Sequence, residues 1–248
     1  MAGGSSPPRA LISWRVWLVF ACALVVVAFL GAVLPGVLDR EHSNRSFEIA
    51  GPIERVVLDV DAGVQLDVNP SPDGRLHVSR HATFSHGSRF REQAKRSGKT
   101  ISIRSSCTTS RLGLLGVCHA DYDLLAPARA ALVIRVHDSH VLIRGMRGRL
   151  DYDARAGDLE ADVCSRWALI KLGFGRVKLH ESCAPRFVQT RINAGAIELT
   201  VPKGRYAVKT KTRWGEAKPI ENLIVDPSSK HRLDLEIRWG GSITVKGD

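Results

Sequence analysis

The chain has 248 residues, 44% of them hydrophobic, with 36 Lys and Arg against 25 Asp and Glu, a formal charge of +11. That positive surplus favours anionic neighbours such as lipid head groups, wall polymers or acidic glycans. No G-x-S-x-G elbow, Walker loop or dinucleotide glycine fingerprint occurs, so the common nucleotide and serine-hydrolase chemistries have no residues to carry them.

The first predicted element is a membrane span. Residues 16–34, "VWLVFACALVVVAFLGAVL", run without a charge. At about 1.5 Å per residue they would reach roughly 28 Å, close to the hydrocarbon thickness of a bilayer. No A-x-A cut site follows, which favours a retained anchor over a cleaved signal. Arg9 and Arg15 precede the span and no acid does, so residues 1–15 are expected in the cytoplasm and the rest outside. That compartment disfavours nucleic acid as a partner. Cys22, inside the apolar run, reads as an ordinary membrane residue. Residues 35–53 read as a linker, and 54–248 as the ectodomain.

Outside the span, helix signals are nearly absent and apolar residues alternate, which predicts half-buried strands. "DAGV" around Gly63 looks like an early, separated copy of a unit that recurs later. Between the two, residues 81–130 break the pattern. "SHGSRFREQAKRSGKT" is polar and basic and reads as a loop before a strand at Ile101 and Ile103. "CTTSRLGLLGVC" closes a small loop with Leu112, Leu114 and Leu115 at its tip, either a flap over the end of a repeat stack or a partner contact.

From residue 131 the repeat is explicit. Turn centres fall at "HDSH", "RAGD", "GFGR", "NAGA" and "RWGE". Their third residues, Ser139, Gly157, Gly175, Gly195 and Gly215, are spaced 18, 18, 20 and 20, and a later "RWGG" puts Gly240 a further 25 on. Apolar residues hold equivalent positions, as in Leu132, Leu150, Ala168 and Val188. Such a unit cannot bury its apolar face alone. The expected fold is therefore all-β, a β-solenoid of 18–20-residue rungs stacked in parallel behind one N-terminal transmembrane helix.

That register gives a reading to "LDYDARAGDLEADV", residues 150–163, with its five carboxylates. Shifted by one repeat, Asp153 falls between Arg135 and Lys171, Asp158 between His140 and Arg176, and Asp162 between Arg144 and His180. Glu160 meets Lys178, then Glu198, then Lys218. Flanking cations would push these carboxyl pKa values down, whereas a general acid needs one raised. The stretch reads as the wet face of a rung. Calcium and zinc fail for want of ligand spacing, and no cofactor pattern is present.

Four cysteines lie outside the span, an even number expected to pair as Cys107–Cys118 and Cys164–Cys183. The second pair is one repeat apart, which stacked rungs would bring to about 5 Å. Trp167, Trp214 and Trp239 sit at turns or bends, either packing rung corners or forming an aromatic, basic edge for sugars or lipid head groups. The densest basic residues are Arg89, Arg91, Lys95, Arg96 and Lys99 in the expected loop, and Lys203, Arg205, Lys209, Lys211 and Arg213 near the later rungs. Lys209, Lys211 and Arg213 point outward from one strand. With Trp214 they form the candidate binding edge, partly offset by Asp234 and Glu236.

The stretch "YDLLAPARAALVIRVHDSHVLIRGMRGRLDYDARAGDLEADV" resembles the bacterial membrane-anchored β-strand-repeat proteins named "putative adhesins", a family of unknown function. "RAGDLEADV" and "IRGMRGRLDYD" match its rung best, and "HDSH" and the loop at 107–118 depart from it. The resemblance implies a solenoid-like fold and a surface location. Together these readings predict a non-enzymatic scaffold or adhesin-like module that binds an anionic envelope component or another protein. The rivals are a sensory ectodomain working through another membrane protein and a polysaccharide-active β-helix enzyme.

Overall fold

A computed structural model describes residues 17, 19–27, 40–85, 88–108 and 118–248. Residues 19–27 are helical and exposed, and no helix among the described residues is long and apolar enough to cross a membrane. The tail at 1–15, much of the span expected at 16–34, and the loop tip with Leu112, Leu114 and Leu115 lie outside the described residues.

From Arg40 on, the described residues are strands and turns, joined in one 14-stranded sheet. Its first strands are β1 (Arg40–Ile49), β2 (Arg55–Pro70), β3 (Leu76–Ser85), β4 (Arg89–Ser97), β5 (Thr100–Thr108) and β6 (Cys118–Ala126). Next come β7 (Ala131–Met146), β8 (Leu150–Val163), β9 (Trp167–Glu181) and β10 (Phe187–Val201), followed by β11 (Arg205–Thr212), β12 (Gly215–Ala217), β13 (Ile224–Val225) and β14 (Arg232–Gly247).

The repeat has the predicted register through its middle. Leu132, Leu150, Ala168 and Val188 are successive parallel partners, as are Ile134, Tyr152, Ile170 and Thr190. Every one of these inward side chains is buried. The turn residues Ser139, Gly157, Gly175 and Gly195 also stand in one column. The glycines are obligatory there. Gly175 has φ +133°, and a Cβ on it would sit 1.8 Å from the carbonyl oxygen of Gly157. Ser139 can head the column because its φ is not positive and its buried hydroxyl meets the Tyr152 hydroxyl at 2.8 Å.

The early copy is where the sequence places it: β2 pairs in parallel with β7, although Gly63 falls opposite Asp138 and Val64 takes the position opposite Ser139. On its other side β2 divides. Its first half pairs with β5 and its second half with β6. Antiparallel β4 extends the β5 arm, and antiparallel β3 and β1 extend the β6 arm. The Cys107–Cys118 disulfide, with Cα atoms 6.3 Å apart, joins the two arms.

Two expectations are corrected in this region. Residues 40–49, read as linker, form β1, and the polar stretch at 89–97, read as a loop, forms β4. Both are strands with few inward apolar residues. Phe47 and Ile49 are half-buried on β1, and β4 turns Phe90, Glu92 and Ala94 inward. A polar residue, Glu92, at the central inward position erases the alternation that marks a strand.

A third correction concerns the last rungs. They do not stack in chain order, because β14 lies between β10 and β11. Gly195 therefore meets Gly241, which in turn meets Gly215, and Glu198 meets Thr244 instead of the expected Lys218. Composition explains the exchange. On β14, Leu233, Leu235, Ile237, Ile243 and Val245 are each at most 1% exposed, whereas on β11 only Tyr206 is fully buried. The apolar rung takes the interior and the rung carrying Thr210 and Thr212 closes the stack, as a polar-faced cap should.

Cys164 and Cys183 are joined across the bends after β8 and β9, with Cα atoms 5.0 Å apart. Replacing both with Ala should cost about 3 kcal/mol, the usual magnitude for a closed loop of this length. Urea unfolding of the oxidised chain and the double variant measures it. Equal midpoints would mean that the flanking ladder already supplies the whole constraint.

Candidate binding edge

The acid-rich stretch behaves as the wet face of a rung. Asp153 lies between Arg135 and Lys171, and Asp162 between Arg144 and His180. Lys178 Nζ donates to Glu160 Oε1 at 2.8 Å, and this contact holds the Glu160 carboxyl below the ordinary range. His180 Nδ1 lies 3.2 Å from Asp162. Among the described residues no group of His, Cys, Asp and Glu is arranged to hold a metal ion.

The candidate edge is β11 and the turn that follows it. Lys209 stands beside Asp234 and Lys211 beside Glu236 in the ladder. Asp234 accepts a hydrogen bond from Gln189, and Glu236 is shared, 3.6 Å from Lys211 and 3.7 Å from Arg191. Neither Lys209 nor Arg213 forms an ion pair among the described residues. The Arg213 guanidinium lies 5.4 Å from the Trp214 ring centroid, and Trp214 is 70% exposed. From Ala207 to Thr212 the strand pairs only with β14, leaving its other edge open. The structure thus brings all four predicted residues to one rim of the stack.

The remaining candidates scatter. Arg96 donates to the carbonyls of Ala50, Pro52 and Gly98, and Lys99 pairs with Glu54, so these two fasten the chain. Trp167 lies at the opposite bend edge, its ring 5.5 Å from that of Phe187. Trp239 shares the turn edge with Trp214 and reaches Phe174, with centroids 5.9 Å apart.

Two buried polar sites escaped the sequence reading. Between the arms of the sheet, Glu92 accepts from the Tyr122 hydroxyl at 2.8 Å and lies 3.4 Å from Arg80 and 3.3 Å from Arg45. Arg80 also covers the Phe90 ring at 4.7 Å. On the bend edge Glu181 is fully buried, accepting from the Ser165 backbone N–H at 2.8 Å and from its hydroxyl. Desolvation pushes the Glu181 carboxyl up to about 7. Its burial denies a substrate access to it, so the raised pKa does not mark a catalytic acid. Both sites have a readable signal: Arg80 and Glu181 occupy inward positions of alternating strands, where a charge is unexpected.

No family model matches the chain, and no curated protein does. Its architecture is nevertheless shared with a solved protein. A putative cell adhesion protein from Clostridium sporogenes is 16% identical, with a TM-score of 0.50, over 85% of this chain and 100% of that one. A putative adhesin from Bacteroides fragilis is 10% identical over 83% of this chain and 97% of that one, with a TM-score of 0.28. A putative lipid binding protein from Parabacteroides distasonis is 10% identical over 82% and 97%, with a TM-score of 0.21. The resemblance expected from the rung motifs is thus met at the level of fold: the chain is an all-β repeat protein with the architecture of the Clostridium sporogenes chain.

Proposed function

We infer that the chain is a non-enzymatic, extracytoplasmic β-solenoid, held to the cell membrane by residues 16–34, that binds an anionic component of the envelope along its β11 rim. The observation that carries this reading is the row Lys209, Lys211 and Arg213 on an open terminal strand, continued by the 70% exposed Trp214. Two disulfides support an oxidising compartment. The cell-adhesion name of the Clostridium sporogenes protein supports surface binding. The parallel register from β7 to β10 supports the solenoid.

Reversing Lys209, Lys211 and Arg213 together to Glu should abolish retention on anionic wall polymer. Retention of the unaltered chain should fall as salt rises, since exposed charges are screened beyond about 8 Å at physiological ionic strength. Retention that survives the triple reversal would remove the rim from the mechanism.

A further inference from the structure

Beyond the β11 rim, the turn edge carries an aromatic row that the charge argument leaves unused. Phe174, Trp239 and Trp214 are 49%, 53% and 70% exposed. They come from β9, from β14 and from the turn between β11 and β12. The row is built by the register. Ala194 separates Phe174 from the β14 turn, and its small side chain lets Trp239 reach across to Phe174. Trp239 is free to do so because β14 carries one extra residue there, a bulge opposite Asn193. On the other flank, Gly215 pairs with Gly241, which sets Trp214 beside the same turn.

Beside this row run two adjoining concavities of about 460 and 500 Å³, with Arg238 in the wall of both. The first is lined by Arg155, Lys171 and Arg191 against Asp153, and the second by Lys211 and Arg213 against Glu236. Six cations thus face two acids in a groove that follows the stacking direction, with ring faces along one bank. Exposed aromatic faces take up the C–H faces of sugar rings, and guanidinium and ammonium groups take up carboxylates or other anions.

We propose that this groove binds a linear acidic glycan, its sugar rings against Phe174 and Trp239 and its anionic groups on Lys171, Arg191 and Arg238. The inference rests on the anion-binding reading above and names the substrate class. An extended polymer fits because cations recur on successive strands, Lys171, Arg191, Arg238 and Lys211 on β9, β10, β14 and β11, about 4.8 Å apart, while the rings of β9 and β14 stand two strands apart. The bilayer that would tether the chain fits less well. Phe174 lies six strands from β1 and Trp214 about nine, roughly 29–43 Å along the stack at that spacing.

The test uses the full chain in neutral detergent with four probes: polygalacturonate, poly-glutamate of matched charge, neutral dextran, and phosphatidylglycerol vesicles. The unaltered chain should bind polygalacturonate about tenfold more tightly than poly-glutamate, the gain expected of two stacking rings. Phe174→Ala combined with Trp239→Ala should erase that preference while leaving poly-glutamate binding and the melting temperature unchanged. Trp239→Tyr should restore most of it, which a merely structural role would not give. Equal binding of the two acidic polymers, a sugar preference that survives the double variant, or tighter binding to vesicles than to polygalacturonate would overturn the glycan inference alone. Failure of both acidic polymers to bind would overturn the anion-binding reading beneath it.

Discussion

Gly175→Ala should lower stability by about 4 kcal/mol, combining a backbone conformation nearly closed to residues with a Cβ and an overpacked contact. Both terms are visible at this position: φ is +133°, and the new methyl would lie 1.8 Å from the Gly157 carbonyl oxygen. Neither neighbour can yield cheaply, because the obstruction is backbone held in a parallel ladder. In a chain of this size the loss corresponds to a melting temperature lower by roughly 10 °C. Gly74→Ala is the control. Gly74 has φ +72° but nothing within 4 Å of the added Cβ, so only the backbone cost of about 1 kcal/mol applies. Differential scanning calorimetry of the two variants decides the matter. Equal losses would mean that the turn column relaxes and that close stacking of carbonyls on glycines does not set the register.

The second large effect is on pH dependence and comes from Glu181. Its carboxyl ordinarily titrates at 4.5 and is raised to about 7 by burial. In that interval the folded chain holds a proton that the unfolded chain releases. Stability from this group is complete below pH 4.5, falls as pH rises through 7, and is level above it. The separation corresponds to about 3 kcal/mol. Glu181→Gln keeps the size and can still accept from the Ser165 N–H, but it carries no titrating proton. The variant should therefore be the more stable at pH 8, and the difference between the two curves should vanish below pH 4.5. Asp73, Glu160 and Asp226 have lowered pKa values and act with the opposite sign at more acidic pH, which is why the difference curve is the measurement. Parallel curves for the two proteins would show that Glu181 is not held neutral by its surroundings.

These two residues also mark how far the sequence could be read. Gly157, Gly175 and Gly195 were legible as a column because tight turns recur at a fixed period, and the flanking alternation fixed which residues face inward. The pairing of Asp153 with Lys171 and of Glu160 with Lys178 followed from the same register. The order of the last rungs was not legible. Periodicity orders copies along the chain, whereas burial orders them in space, and Leu233, Leu235 and Ile237 outcompete Val208, Thr210 and Thr212 for the interior place. Strands β1 and β4 were invisible for a related reason, since alternation cannot be seen where the inward residue is Glu92. Of the candidate edge, Lys209, Lys211, Arg213 and Trp214 could be placed together from spacing alone. Phe174 could not, because its contact with Trp239 depends on a bulge and on β14 sitting where chain order would not put it.

The placement of β14 fixes an order of assembly. A chain emerging N-terminus first delivers β11 before β14, yet β11 reaches the rest of the sheet only through β14. Until residues 232–247 arrive, β10 keeps an unsatisfied ladder edge and β11 has nothing in the main stack to dock on. Residues 232–247 are therefore a keystone: β14 docks the Lys209 row and itself carries Trp239, so a chain halted at residue 231 would display neither in its folded place.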